Sequence, residues 1–324
     1  MKPDSHPKIK NLNAARPGLG TSKNAPHRRR SRIVFRIGSA VLVPLAVLSV
    51  RPQQNPSPMS DTTRPHSRIE RNDPPGQRIE LSTLKGARLF IGPKVRKDRG
   101  TPLIIHFHGA PWLVEYQIAK YYPKAALITV QIGSGSSAYG KPFGDTGLFG
   151  ALIDEAAKTL GSKAEWSSIT LTGFSAGYGG IRAILRQEEN YRRVDRVLLL
   201  DGIHASYLPE GKVIADGGTI NEGDIAPFIA FARDAAAGRK HFVISHSEIF
   251  PGTFASTTEC VDYVIRSIGL KRVPKLRDGP MGMQQLSTVD QSGFHVRGYA
   301  GNTAPDHVDH LHAMNYWLKM VKVD

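Results

Sequence analysis

The chain has 324 residues and a mass of 35.5 kDa, which is enough to bury a large hydrophobic core and excludes a small domain held together by disulfides or metals. Its single cysteine, Cys260, excludes an internal disulfide and the cysteine-based zinc modules. The net charge is +15, but residues 1–66 hold 12 of the 43 Lys and Arg and only two acidic residues. The basic charge is therefore concentrated in a tail, and no nucleic-acid partner is expected.

The N-terminal part of the chain differs in composition from the rest. Residues 1–30 are polar and rich in Pro and Gly, and they predict a disordered basic tail. Residues 31–50 contain the uncharged stretch 37–50 behind a basic segment, as in a signal peptide or signal anchor, and residues 51–77 are typical of a flexible linker. The alternative is a buried apolar helix of the main domain. We expect an exported or membrane-anchored, extracytoplasmic protein that could attach to a membrane through residues 33–50.

From residue 78 onward, short apolar runs alternate with helical patterns, which predicts one α/β domain over residues 78–324. Strands are predicted at Arg78–Leu81, Arg88–Ile91, Leu103–Phe107, Ala126–Ile132, Ser168–Thr172, Val194–Leu200, His241–Ser245 and Phe294–Tyr299. Helices are predicted at Thr146–Leu160, Gly177–Gln187, Asp224–Ala237, Ser256–Ile268 and Val308–Val321. Runs that are apolar throughout are typical of parallel strands covered by helices on both faces.

The motif GFSAG at residues 173–177 lies directly after a predicted strand and directly before a predicted helix. A nucleophilic serine needs a tight strand-to-helix turn that exposes its hydroxyl, and glycines permit such a turn. The pattern alone is weak evidence, but it occurs once in this sequence, at a predicted strand-to-helix junction where a serine hydroxyl can be exposed for catalysis. Ser175 is therefore the candidate nucleophile. The alternative is that the motif is only the N-cap of a helix whose start is rich in glycine.

Acyl transfer also needs N–H donors for the oxyanion that develops on the substrate. The backbone N–H of Ala176 would be one donor. The loop after the strand Leu103–Phe107 would supply the second, from Ala110, because Pro111 has no N–H. His106 and His108 flank this loop and are interpreted as packing and bracing residues.

These features together resemble the α/β-hydrolases over about residues 78–324. The resemblance rests on HGAPW after one strand, GFSAG at the strand–helix turn, and histidines before the terminal helix. It implies a mostly parallel eight-stranded sheet flanked by helices, and a catalytic serine, acid and histidine in that chain order. It does not imply a substrate.

The catalytic base is expected among three histidines near the C-terminus. His307 is preferred because the family places its histidine at this loop-to-helix edge; His310 and His312 remain alternatives, as does a purely structural role for all three. The other downstream histidines are interpreted as packing residues: His204, His241, His246 and His295.

The acid that orients this base is less well specified by the sequence. Asp201 follows the predicted strand Val194–Leu200, and Glu248 follows the strand His241–Ser245. Both preserve the chain order, and Asp201 is preferred over Glu248, with Asp262 and Asp306 as weaker alternatives.

The surroundings of the site are predicted only in outline. No large cap domain is expected, because about 23 residues separate Asp201 from the next predicted helix. The stretch Lys271–Ser292 is interpreted as a surface loop, with a lid as the alternative. Trp112 and Tyr178 are candidate substrate-binding residues, as is Tyr207, although core packing would explain them equally well.

The sequence thus predicts a serine hydrolase that cleaves a small-molecule or polymer-borne ester. Nucleotide loops, iron–sulfur patterns and flavin fingerprints are not visible, so we expect no cofactor and no metal. One alternative is a membrane-tethered, non-catalytic binding protein on the same scaffold. Another is a metal-dependent hydrolase that uses His106 and His108 with His307, Asp309 and His310.

Overall fold

The computed structural model describes residues 65–97, 100–161 and 165–323. The predicted tail and the signal segment, residues 1–30 and 31–50, lie outside these ranges, and so does most of the predicted linker. Among the described residues, every helix is too short or too polar to span a bilayer.

A ten-stranded sheet forms the centre of the fold. Its strands are β1 (Gln77–Glu80), β2 (Ala87–Ile91), β3 (Thr101–Phe107), β4 (Ala126–Val130), β5 (Trp166–Phe174), β6 (Arg196–Leu200), β9 (His241–His246), β10 (Val273–Asp278), β11 (Gln284–Gln291) and β12 (Phe294–Tyr299). A separate two-stranded sheet pairs β7 (Tyr207–Leu208) with β8 (Thr219–Ile220). The order in the large sheet is β1-β2-β4-β3-β5-β6-β9-β12-β11-β10. Pairing is parallel from β4 through β3, β5, β6 and β9 to β12, and antiparallel towards both edges.

Helices cover both faces of the large sheet. They are α1 (Pro111–Tyr121), α2 (Ser136–Gly140), α3 (Leu148–Leu160), α4 (Tyr178–Leu185), α5 (Glu188–Arg193), α6 (Glu222–Ala236), α7 (Thr257–Ser267), α8 (Ala304–His312) and α9 (Met314–Leu318). Helices α1, α8 and α9 contribute to the core on one face, and α3, α4, α6 and α7 to the core on the other.

Strand β6 shows why these apolar runs form the centre of the sheet. Successive side chains of a strand point to opposite faces. Val197 and Leu199 pack into one core, whereas Leu198 and Leu200 pack into the other. All four are fully buried, so the strand must be apolar at every position rather than at alternate ones.

The predicted α/β architecture, a mostly parallel sheet flanked by helices, is confirmed, and all eight predicted strands form. The sheet has two strands more than expected because Lys271–Ser292 is neither a surface loop nor a lid: it holds β10 and β11. These strands are polar and pair antiparallel at the sheet edge. Their sequence therefore lacks the apolar run on which the prediction depended, and the interpretation of this stretch as a loop was wrong.

Helix α8 begins at a capping box that also shapes the loop before it. The Thr303 side chain accepts a hydrogen bond from the backbone N–H of Asp306, and the Asp306 carboxylate accepts from the Thr303 backbone. Such reciprocal bonds satisfy two of the free N–H groups at a helix start. The predicted single terminal helix is divided at Ala313 into α8 and α9.

Candidate active site

Three neighbouring parallel strands end in residues with left-handed backbone conformations. His108 follows β3 with φ of 68°, Ser175 follows β5 with φ of 48°, and Asp201 follows β6 with φ of 44°. Non-glycine residues rarely adopt positive φ, and such strain is typical of functional sites. The carboxyl edge of the sheet therefore presents three strained polar residues side by side.

The turn at Ser175 depends on close backbone approach. Ser175–Gly177 forms a single 3-10 turn between β5 and α4. A Cβ atom on Gly177 would lie 2.1 Å from the carbonyl oxygen of Phe107, and one on Gly202 would lie 2.2 Å from the carbonyl oxygen of Ser175. Only glycine lets the strands β3 and β6 approach this turn so closely.

Asp201 and His307 form a hydrogen-bonded pair next to this turn. Nδ1 of His307 lies 2.7 Å from Oδ2 of Asp201. Asp201 is 3% exposed and also accepts hydrogen bonds from the backbone N–H and the hydroxyl of Ser247, at 2.9 and 2.6 Å. Burial alone would raise the pKa of Asp201, but the nearby His310 and His307 imidazoles and the hydrogen bonds from His307 and Ser247 outweigh burial and lower it. Asp201 is therefore a buried carboxylate held by three donors.

Ser175 and His307 share one cavity. A cavity of about 280 Å³ is lined by both residues and by Asp201. The His307 ring also packs on Phe174, the residue before the serine, with 4.5 Å between ring centroids. Within the described part of the chain, no hydrogen bond to the Ser175 hydroxyl is present, and such bonds are often long before substrate binds.

The predicted oxyanion donors lie in the segments that follow β3 and β5. Ala176 follows Ser175 in the 3-10 turn, and Ala110 is the residue directly before α1. The loop that carries Ala110 is braced by His106, whose Nε2 donates to the carbonyl of His108 at 2.6 Å. Burial lowers the pKa of His106 to about 3, so this brace is a neutral imidazole. His108 contacts the hydroxyl of Tyr139 at 2.8 Å.

The alternative residues are either exposed or bonded to other groups. Glu248 is exposed. His310 is buried, bonded through Nδ1 to the Ser245 hydroxyl at 3.0 Å and stacked on Trp317. His312 accepts from the backbone N–H of Ile69 at 3.0 Å. Asp306 caps α8, and Asp262 pairs with Arg272 at 2.6 Å.

A second, larger cavity of about 470 Å³ also borders Ser175 and Ala176. Of the predicted substrate-binding residues, Tyr178 lines it. Trp112 lies in α1 and packs against the core on that face of the sheet, and the buried Tyr207 donates its hydroxyl to Glu259. Most residues of its wall were not predicted from the sequence, among them Phe254, Arg182 and His204, which was interpreted as a packing residue. His204 could have been found from its position three residues after Asp201. Ser247 was not predicted either, although it follows a strand end.

One group of possible metal ligands lies within the described residues. Ligand atoms of His66, Asp306 and Asp309 lie within 4.8 Å of one another. However, the Arg68 guanidinium and Nδ1 of His66 both bond to the Asp309 carboxylate, and Asp306 is used in the cap of α8. Both oxygens of Asp309 are thus already paired and His66 is bonded to one of them, so this cluster does not fit a metal site. His106, His307 and His310, which the metal-dependent alternative would use, each have the separate partners described above.

Comparison with solved structures returns hydrolases of low sequence identity. An acylaminoacyl peptidase from Pyrococcus horikoshii is 15% identical with a TM-score of 0.44, over 79% of this chain and 43% of that one. The chain thus spans less than half of that peptidase. Esterase 2 from Thermogutta terrifontis is 10% identical with a TM-score of 0.44, over 78% of this chain and 98% of that one. A truncated carbohydrate esterase from gut microbiota is 13% identical with a TM-score of 0.45, over 79% and 99% of the two chains.

No family model matches the chain, and no curated protein matches it. TM-scores below 0.5 give these likenesses no weight for activity or substrate.

Proposed function

We propose that this protein is a serine hydrolase that cleaves carboxylic esters through an acyl-enzyme on Ser175. The observation that carries the proposal is the buried Asp201–His307 hydrogen bond of 2.7 Å in the same cavity as a serine held at positive φ. These three side chains are the nucleophile, base and orienting acid that acyl transfer requires.

The reaction follows from this arrangement. Ser175 Oγ attacks the ester carbonyl carbon while Nε2 of His307 takes the hydroxyl proton. Asp201 holds Nδ1–H of the same ring and stabilises the imidazolium that forms. The backbone N–H groups of Ala176 and Ala110 stabilise the oxyanion. His307 then protonates the leaving alcohol as the C–O bond breaks, and water hydrolyses the acyl-enzyme with His307 again as base.

A fluorophosphonate probe tests the nucleophile directly. We expect one covalent adduct on Ser175 by peptide mass spectrometry and none in the Ser175→Ala variant, whose ester hydrolysis should fall by at least about a thousandfold. The matched control is Ser137→Ala, an exposed serine that should label like the wild type. A folded protein that neither labels nor cleaves esters would refute the proposal and favour the binding-protein alternative.

The base is tested by comparing two histidines on α8. His307→Ala should lose activity to a similar extent with little change in stability. His310→Ala should instead destabilise the fold, since His310 is 1% exposed and stacks on Trp317. If only the His310 variant lost kcat while folded, the assignment of the base would be wrong.

A further inference from the structure

The ring of His204 is fixed in the wall of both cavities that border Ser175. It lies between two aromatic rings, with centroid distances of 5.4 Å to Tyr178 and 4.9 Å to Phe254, both edge-on. Its backbone belongs to the loop after β6, shortly beyond Asp201 and Gly202, and Gly202 packs against the backbone of Ser175. The imidazole is therefore held at a constant position relative to the nucleophile.

The tautomer of this ring follows from its one hydrogen bond. Nδ1 lies 2.9 Å from the carbonyl oxygen of Ala255, which can only accept, so Nδ1 carries the proton. Burial lowers the pKa of His204, and a neutral ring with a proton on Nδ1 has a free lone pair on Nε2. Nε2 has no hydrogen-bond partner within residues 65–97, 100–161 and 165–323, and it is not among their fully buried unpartnered atoms. It is thus an acceptor open to the cavities that the ring lines.

The rest of the larger cavity indicates what kind of group this acceptor would meet. Arg182 and Asp224 in its wall form an ion pair at 3.3 Å, and Asp224 also accepts from the backbone N–H and hydroxyl of Ser206. Arg182 and Asp224 are the two charged residues that line this cavity, and their charges offset each other; Arg186, which does not line it, also lies 3.7 Å from Asp224. Ser134 and Ser136 add hydroxyl groups to the same wall. An uncharged group that both donates and accepts hydrogen bonds fits such a wall.

We propose that His204 is a specificity-determining residue: Nε2 accepts a hydrogen bond from a hydroxyl group on the part of the ester that enters the larger cavity. This proposal rests on the proposed function and specifies its substrate class, namely esters with a free hydroxyl on the acyl or the alcohol side. An analogue that lacks the hydroxyl covers the acceptor without giving it a partner, which is the condition under which enzymes discriminate strongly.

The test compares matched substrate pairs. On the alcohol side, glyceryl monobutyrate is compared with propyl butyrate; on the acyl side, 4-nitrophenyl 3-hydroxybutyrate is compared with 4-nitrophenyl butyrate. The wild type should prefer the hydroxylated member of at least one pair by about tenfold or more in kcat/KM, the effect of one satisfied hydrogen bond.

Two variants separate the acceptor from the packing role of the ring. His204→Asn places an amide N–H near Nδ1 and can keep the bond to Ala255, but it has no group at Nε2, so the hydroxyl preference should fall to about one. His204→Gln places a carbonyl oxygen near Nε2 and should retain most of the preference. In each pair the ester without the hydroxyl is the internal reference: the preference is the ratio of the two kcat/KM values, so a general loss of activity in a folded variant cancels.

A second readout does not depend on turnover. The rate of Ser175 labelling is measured with two fluorophosphonates of equal length, one with a hydroxyalkyl and one with an alkyl arm. The wild type should react faster with the hydroxylated probe, and His204→Asn should lose this difference.

The outcomes distinguish the two proposals. No labelling by either probe refutes the serine hydrolase itself. Labelling without any hydroxyl preference in the wild type, or with a preference that survives in His204→Asn, overturns the role of His204 alone. A preference for an N-acylamino ester in place of the hydroxylated ones would mean that Nε2 binds an N–H donor, and it would also overturn the proposal as stated.

Discussion

At the scale of single residues, the hydrogen bonds of Asp201 determine how its carboxylate is oriented. Both oxygens of Asp201 accept hydrogen bonds from Ser247, and Oδ2 also receives Nδ1–H of His307. A carboxylate with this many donors has little freedom to rotate, so it keeps the imidazole in one orientation. Ser247 is then a positioning residue that acts through Asp201.

Removal of the Ser247 hydroxyl should impair catalysis more than binding. A hydrogen bond to a charged group is worth about 1.5–3 kcal/mol, so Ser247→Ala should lower kcat by about tenfold to a hundredfold while KM changes little. Ser247→Thr, which keeps the hydroxyl, should recover part of kcat.

The matched control is Ser245→Ala on the adjoining strand β9. Ser245 is also buried, but its hydroxyl contacts His310 instead of the Asp201 carboxylate. Equal losses of kcat in the two variants, or a loss that appears in KM instead of kcat, would contradict a positioning role for Ser247.

At the scale of elements, the turn at Ser175 is possible because β3 and β6 approach it closely at glycines. Gly177→Ala would place a Cβ atom 2.1 Å from a backbone oxygen, which cannot move without displacing β3. We expect a loss of more than about 2 kcal/mol in the free energy of unfolding, measured by urea denaturation. Gly144→Ala is the control: a Cβ atom there would have no neighbour within 4 Å among the described residues, so its change should stay within about 0.5 kcal/mol.

A second element is the segment 65–70, which contacts the helix that carries His307. Arg68 and His66 both bond to Asp309, whose side chain has no exposed surface. Removing one partner of a buried carboxylate is costly, so Arg68→Gln should lower the free energy of unfolding by about 2–3 kcal/mol. Arg71→Gln is the control, because Arg71 pairs with Asp73 at the surface and such pairs contribute about 0–1 kcal/mol. Similar effects of the two substitutions would show that the segment does not stabilise α8.

At the scale of the whole molecule, buried neutral histidines make stability depend on pH. Burial lowers the pKa of His106 to about 3 and, together with Arg272, that of His246 to about 4. The unfolded chain protonates both near pH 6.5, so it binds more protons than the native state below that pH. Their contribution is complete above about pH 6.5 and is lost progressively as the pH falls towards 4.

The slope of unfolding free energy against pH measures this effect. Between about pH 4 and 6 the wild type should take up about two protons on unfolding at these two sites, and His106→Asn should reduce the uptake by about one, whatever its effect on absolute stability. His295→Asn, which replaces a histidine paired with an exposed aspartate, is the control. An unchanged slope in the His106 variant would show that this ring titrates in the native state.

By itself, the sequence determined the eight principal strands and the strand-to-helix turn that carries Ser175, the proposed nucleophile. Strands such as β6 are buried on both faces, so their apolar runs are visible without any tertiary information. The turn at Ser175 is local as well, since its glycines and serine are contiguous. Features of this kind depend on the chain only within a few residues.

Only the tertiary structure decided what depends on distance between remote segments. Asp201 and Glu248 both follow strand ends, and the choice between them rests on which carboxylate reaches His307, 106 positions away from Asp201 along the chain. The strands β10 and β11 were missed because their pairing at the sheet edge replaces the apolar pattern that marks buried strands. The open acceptor of His204 depends on its bond to Ala255, 51 positions later, and no pattern within the chain encodes that contact.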